Sequence, residues 1–366
     1  MKYILWICLL LCLPTAYAYA ESAEEIAEGI DLSSVQEIAD AAEYPVQVRE
    51  TVEKLLRGEL FAFDGDMLST CKEILLSGMR NALAMLSGIL APTLLSALAG
   101  RLLGDTSGAE GVQYACRLSC AAILANLFFG KLSSVRTLIG ILANLSKAIA
   151  PILAGLAAMT GAANTSSMLT PTAALFADGI SELASTWGVG LSAAAAGLAA
   201  AGNLNRRFSL KRLFSLTRSI VNDAAGLATA LFPMALSVQG MFGESFDGMT
   251  MRTARYAVDS AIPVIGGSVA EAMDAMVSSA RLVKGAVGVT GMLVVLSVCV
   301  EPILELLALR LVLGLAAALM EPVAEAGMTE MTEQFAKATD MLLVVSTAIA
   351  VMLLILLGAA LRIGAA

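Results

Sequence analysis

The chain has 366 residues, of which 58% are hydrophobic and 15% charged, and its mean hydropathy is +0.80. Soluble domains carry about a quarter charged residues, so this composition excludes an ordinary soluble protein and indicates several membrane spans. The net charge is −8, and the absence of histidine excludes Ser-His and Cys-His catalysis as well as histidine-ligated metals.

Residues 1–20 have the pattern of a secretory signal peptide. Lys2 supplies the positive start, residues 4–13 form a short apolar core, and Pro14 ends it before small residues at 16, 18 and 20. The apolar core is too short to span a bilayer as a helix. We therefore expect the chain to be exported first and inserted into a membrane afterwards.

Residues 21–73 predict an acidic helical segment outside the cytoplasm, with fourteen acidic and four basic side chains. Pro45 and Gly58 are placed to start and end one helix. An apolar stripe predicts the buried face of that helix: Val48, Val52, Leu55 and Leu56. Charged i,i+4 pairs such as Glu50 with Lys54 occupy the other face. The helix either lies solvated on its neighbours or docks a partner.

Eight apolar stretches predict an all-α polytopic membrane domain over residues 74–366. They lie near 74–100, 112–129, 137–160, 171–201, 219–240, 258–284, 286–320 and 341–361. Small residues are frequent in them, which favours helices packed closely inside a bundle. Prolines recur inside the stretches and predict broken or re-entrant helices: Pro92, Pro151, Pro233, Pro263 and Pro302.

The segment 203–218 carries five cations and no acid, which predicts a cytoplasmic position by the positive-inside rule. Its candidate contacts for a cytoplasmic partner or anionic lipid are Arg206, Arg207, Lys211 and Arg212. Four crossings ahead of this segment would instead place it on the same side as 21–73. Either one of the first four stretches fails to cross, or the basic segment breaks the rule. Our candidate for the stretch that fails to cross is 74–100, as a hairpin or a surface-lying element.

The segment 252–289 differs most from its surroundings, because a charged start, a Pro and Gly-Gly break and an amphipathic helix follow one another. Charged side chains that face lipid are costly, so the polar face of this helix should meet water, a passage or a partner. The segment is either an interfacial loop and helix or a re-entrant element that lines a passage or a docking groove. The candidate channel or partner contacts are Asp259, Pro263, Gly266, Gly267, Glu271, Asp274, Arg281 and Lys284.

The charged residues inside the 286–320 stretch have two interpretations. Glu301, Glu305 and Arg310 could form an ion pathway, but the Glu301-Pro302 step favours a joint between two half-length helices. Arg117 and Lys147 lie near stretch ends, where we expect their long side chains to reach the interface.

Chemistry that needs a cofactor or a nucleophile finds no support in the sequence. Cys116 and Cys120 could be paired metal ligands, but small interior residues are the favoured interpretation. No Gly-x-x-x-x-Gly-Lys-Ser/Thr loop occurs, so ATP would have to act through a partner. We therefore expect no catalytic residues, no metal and no cofactor, and we expect that the protein is not an enzyme.

The chain resembles the stage III sporulation protein AE family of endospore-forming bacteria. The resemblance is carried by the segment 259–284, by the Ala-Pro-Thr-Leu-Leu run at 91–95 and by the layout of a signal peptide before many spans. This resemblance implies a platform or pore subunit of the channel complex that joins mother cell and forespore, in the mother-cell-derived outer forespore membrane. The implied partners are other proteins of the stage III operon, including ring-forming subunits and a cytoplasmic ATPase, and stage II sporulation protein Q. The alternative is a free-standing secondary transporter for a small solute.

Overall fold

A computed structural model of the chain describes residues 26–27, 29–41, 47–57, 66–103, 107–204, 210–261 and 266–363. Every regular element within these ranges is helical, in agreement with the all-α prediction. The predicted signal peptide, Arg206, Arg207 and Pro263 lie outside the described residues.

Eight helices are named here in chain order. They are α1 (Ser33–Ala41), α2 (Val48–Leu56), α3 (Asp66–Leu103), α4 (Ser107–Met159), α5 (Ala163–Leu204), α6 (Lys211–Ala261), α7 (Gly266–Met320) and α8 (Ala326–Arg362). Five helical segments in the described ranges are long and apolar enough to cross a membrane: Ser107–Met159, Ala163–Leu204, Lys211–Val238, Met276–Met320 and Gly327–Arg362. The protein is therefore all-helical with a multi-pass character.

The apolar stretches combine into fewer and longer helices than the sequence predicts. Stretches 112–129 and 137–160 are one helix, α4, and four of the five prolines expected to break helices lie inside continuous ones: Pro92, Pro151, Pro233 and Pro302. The joint predicted at Pro302 is therefore wrong. A proline removes one backbone hydrogen bond, and the packing of a long helix against its neighbours outweighs that loss.

Of the two alternatives predicted for 74–100, the surface-lying element stays a prediction, and the hairpin is wrong, because α3 is a single helix of 38 residues. Its apolar part, Leu86–Leu102, is shorter than the five candidate spans. Gly100 approaches α4 closely, since a β-carbon added there would lie 3.1 Å from the side-chain nitrogen of Gln113. Helices α3 and α4 therefore pack as an antiparallel pair near their connection.

The acidic segment forms the two short helices α1 and α2. The apolar stripe predicted for α2 is buried at Val48 and Val52, and the i,i+4 pair of Glu50 with Lys54 forms at 2.7 Å. Both helices contribute to a hydrophobic cluster that also contains residues of α4, α7 and α8, such as Leu142, Val283 and Leu353. Apolar burial of this kind holds the polar segment on the bundle.

Helices α4 to α8 alternate in direction, so the starts of α4, α6 and α8 gather with the end of α5. Side-chain contacts that hold this end together are Arg117–Glu325, Asn203–Gln334 and Lys211–Glu330. We call it the basic end, since the described part of the predicted basic segment lies here. A second hydrophobic cluster, with Phe128 and Phe335 edge to face, fills this half of the bundle.

Candidate functional site

Ion pairs between helices are the main polar feature of the apolar bundle. They join residues far apart in the sequence: Arg117 with Glu325, Lys131 with Glu305 at 2.6 Å, Lys147 with Asp178 at 2.5 Å, Lys211 with Glu330 at 2.7 Å, and Arg310 with Asp340 at 2.5 Å. Intramembrane charges are costly unless they are paired or face water. These pairs therefore favour particular helix neighbours and a particular position of each helix along the bundle axis relative to its neighbour.

The pair of Arg117 with Glu325 is the most buried of them, with side chains 9% and 19% exposed. The guanidinium donates to Glu325 Oε2 through both Nε, at 2.8 Å, and Nη2. The prediction that the side chain of Arg117 reaches out to the membrane interface is therefore wrong, because the side chain points to Glu325 inside the protein. The reason is that Glu325, just ahead of α8, supplies a carboxylate inside the basic end, so the cation is neutralised within the protein.

Asp340 on α8 is shared by two arginines. Arg310 Nε donates to Asp340 Oδ1 at 2.5 Å, and Arg218 on α6 lies 3.9 Å from Asp340 Oδ2. Within the described residues, Arg218 Nε and Asn222 Oδ1 are buried without a hydrogen-bond partner. Three helices, α6, α7 and α8, therefore meet at one carboxylate.

The charged residues at Glu301, Glu305 and Arg310 do not form one continuous cluster. Glu305 forms an ion pair with Lys131 on α4, Arg310 forms one with Asp340 on α8, and Glu301 is exposed. Their role in the structure is to connect α7 with two different neighbours. The sequence could not identify these partners, because nothing in its local pattern links positions 131 and 305.

The predicted polar face at the start of α7 is described only in its last part. Helix α6 ends at Ala261 and contains Asp259, and α7 begins at Gly266 and contains Gly267, Glu271 and Asp274; the positions of the side chains from 259 to 275 lie outside the described set. Arg281 is exposed, as the polar face requires. Whether these residues contact a partner remains a prediction.

Lys284 differs from its predicted place on the exposed polar face. It is 2% exposed, and its ammonium group donates to the backbone carbonyl of Ile363 at the end of α8. Its neighbours Ala280 and Val283 are fully buried, whereas Met276 is 61% exposed. The physical reason is that an unsatisfied carbonyl at a helix C-terminus attracts a cation.

At the basic end, Lys211 and Arg212 are exposed at the first turn of α6. Lys211 pairs with Glu330, so part of its charge is used within the protein. Cys116 and Cys120 are buried, and no group of three metal-binding side chains occurs among the described residues.

Comparison with known proteins identifies the family. The family model of stage III sporulation protein AE matches residues 46–365. The chain belongs to the stage III sporulation protein AE family. This confirms the resemblance seen in the sequence, and a sporulation-related role follows from membership in this family.

A curated relative, stage III sporulation protein AE of Bacillus subtilis (strain 168), is 27% identical over 175 residues. The matched part covers 48% of this chain and 44% of the relative, so less than half of that relative's length is matched. No solved structure matches the chain.

Proposed function

We propose that this protein is a membrane subunit, a platform or a pore component, of the mother cell–forespore channel complex required for endospore development. The observation that carries the proposal is the match to the sporulation family over residues 46–365, combined with five helices suited to a membrane. The ion pairs between helices support a rigid platform, because they fix the helices in register.

We further propose that the basic end faces the mother-cell cytoplasm and that α1 and α2 lie on the opposite side of the outer forespore membrane. The exposed cations Lys211 and Arg212 at the basic end support this orientation, as do the acidic helices packed toward the other end of the bundle. The merging of two predicted stretches into α4 removes one crossing. The proposed orientation also requires α3 to cross through its shorter apolar part, Leu86–Leu102. With α3, α4 and α5 crossing, 21–73 and the basic end would lie on opposite sides.

The proposed partners divide by side. A cytoplasmic ATPase would meet the basic end, while ring-forming subunits of the stage III operon and stage II sporulation protein Q would meet the other side. The protein itself would perform no catalysis.

Affinity purification of the tagged chain from sporulating cells tests this function. We expect proteins of the stage III operon to co-purify with the chain from cells sampled during engulfment. A tagged, unrelated multi-pass protein is the control. Recovery of the chain without any of them would contradict the proposal and favour the free-standing transporter.

Charge reversal tests the candidate face on α7. Arg281→Glu, Glu271→Arg and Asp274→Arg should each lower co-purification and spore yield while leaving the amount in the membrane unchanged. The matched control is Arg101→Glu, an exposed arginine at the end of α3. If all three reversals behave like this control, the face is not a contact.

A further inference from the structure

A polar cleft opens between α4 and α5. Its volume is about 430 Å³. The polar or small residues that line it include Arg136, Gly140, Ser181, Glu182, Ser185 and Thr186. Small and hydroxyl residues are common between packed membrane helices, whereas charged side chains such as Arg136 and Glu182 are not, because charges at membrane depth face water or a partner.

Helix α5 changes its hydrogen-bond pattern at the cleft. Two π-helical turns, Leu175–Ile180 and Ala184–Gly188, flank a short α-helical piece that contains Ser181 and Glu182. A π-turn inserts an extra residue, costs stability and occurs frequently at functional sites. The two turns rotate this short piece so that its polar side chains reach the cleft wall.

The polar groups in the cleft are only partly used by the protein. Ser181 is 2% exposed, and its hydroxyl has no hydrogen-bond partner among the described residues. Arg136 on the opposite wall forms no ion pair within the described part of the chain, and Glu182 accepts a hydrogen bond from Thr186 Oγ1 at 3.0 Å. Water is the partner that a buried hydroxyl lacks, and an exposed, unneutralised arginine at membrane depth is stable where water or an anion reaches it.

The cleft lies at the depth of the bilayer. Residues 341–361 of α8 contain no charged residue, and about 1.5 Å per residue makes them about 31 Å long, which matches the hydrocarbon thickness. Gly188 on α5 packs on Val345, since a β-carbon added there would lie 3.1 Å from that side chain. Helix α5 is antiparallel to α8, so Glu182, six residues before Gly188, lies about 9 Å farther than Val345 into the uncharged layer formed by residues 341–361.

The other wall of the cleft begins nearer the edge of this layer. A β-carbon added at Gly291 would lie 2.9 Å from Ile149 on α4 and 3.7 Å from Leu357 on α8, so these two residues share one level. Helices α4 and α8 are parallel, because Arg117 meets Glu325 at the basic end. Arg136 lies about 20 Å back along α4 from Ile149, which places it beside the start of the uncharged layer of α8.

We propose that this cleft is filled with water and lines a hydrophilic path for water and small ions through the bilayer. The charges on both walls and the paired Lys147 and Asp178 on the same two helices would keep the path hydrated. The inference names the part of this chain that lines the passage, and so it rests on the proposed channel function.

Cysteine accessibility tests the cleft in the full chain in native membrane vesicles. Ser185→Cys and Gly140→Cys place thiols in the cleft, and a β-carbon at Gly140 meets nothing within 4 Å. The matched controls, Leu183→Cys and Trp187→Cys, replace side chains that are 59% and 65% exposed on the same helix without lining the cleft. The described natural cysteines, Cys116, Cys120 and Cys299, are buried, and the parental chain sets the background.

A membrane-impermeant, thiolate-selective reagent should label the two cleft thiols at least about tenfold faster than the two controls, because only a hydrated thiol ionises. Labelling after denaturation in detergent shows that all four thiols are present. Equal, slow labelling of all four would overturn the hydrated cleft even if operon proteins still co-purify. Fast labelling in a chain that recovers no operon protein would support the cleft and refute only the channel complex.

Discussion

Replacing Arg117 with methionine should destabilise the bundle more than removal of any exposed cation. The substitution keeps an apolar stem of similar length but leaves Glu325, 19% exposed, without its guanidinium partner. Removing one member of a buried ion pair costs about 3 kcal/mol, because the remaining charge stays desolvated. A domain of this size loses about 2 °C per kcal/mol, so we expect the apparent Tm to fall by about 6 °C.

The measurement is thermal unfolding of the purified chain in a mild detergent at a fixed heating rate. The control Lys54→Met breaks an exposed i,i+4 pair, with side chains 56% and 50% exposed, and should cost at most about 0.5 kcal/mol. The double variant Arg117→Met/Glu325→Leu should regain most of the loss, because no buried charge is left unpaired. A double variant as unstable as Arg117→Met would refute this reasoning and assign the loss to packing.

Three further outcomes follow from the structure. Gly291→Val should lower thermal stability by about 1–3 kcal/mol, because its side chain would press on Ile149, whereas Gly155→Ala, with nothing within 4 Å of the added carbon, should cost little. Pro302→Ala should leave stability unchanged or raise it, since α7 is continuous through this position; a fall in Tm above about 3 °C would indicate that the proline has a structural role. Hydrogen bonds from the hydroxyl and backbone N–H of Ser33 lower the pKa of Asp31 from its usual 3.8, so their stabilisation of α1 is present above that pH and lost as the pH falls through the lowered pKa. NMR titration of Ser33→Ala should show the pKa of Asp31 rising, and an unchanged titration would contradict this assignment.

The sequence predicted the chemical environment of the chain better than the arrangement of its helices. Uncharged stretches such as 341–361 identify a helix of bilayer length from composition alone. The apolar stripe of α2 predicted a buried face, and Val48 and Val52 are buried in the structure. Helix ends were less predictable, because prolines and short charged gaps were interpreted as breaks. The gap around Lys131 and Arg136 illustrates the reason: Lys131 has a carboxylate partner on α7, which allows α4 to continue.

The candidate contacts were predicted from helical periodicity, which reports which residues share a face but not what that face meets. Periodicity placed Lys284 beside Arg281, although the structure buries Lys284 against the end of α8. Its partner is the carbonyl of Ile363, and no local pattern connects positions 284 and 363. The cleft between α4 and α5 was missed for the same reason, because its walls come from two helices and its shape depends on π-turns.

The distribution of charges in the bundle distinguishes structural residues from candidate functional ones. A charge that joins two helices, such as Lys131 with Glu305 or Arg310 with Asp340, is explained by the folded chain alone. A charge such as Arg136, which has no ion-pair partner in the described part of the chain, is not explained in this way, since burying it against lipid would cost several kcal/mol. This arginine lines the same cleft as Glu182 and as the Ser181 hydroxyl, which has no hydrogen-bond partner among the described residues, and this is why we propose that solvent enters the bundle at the α4–α5 cleft.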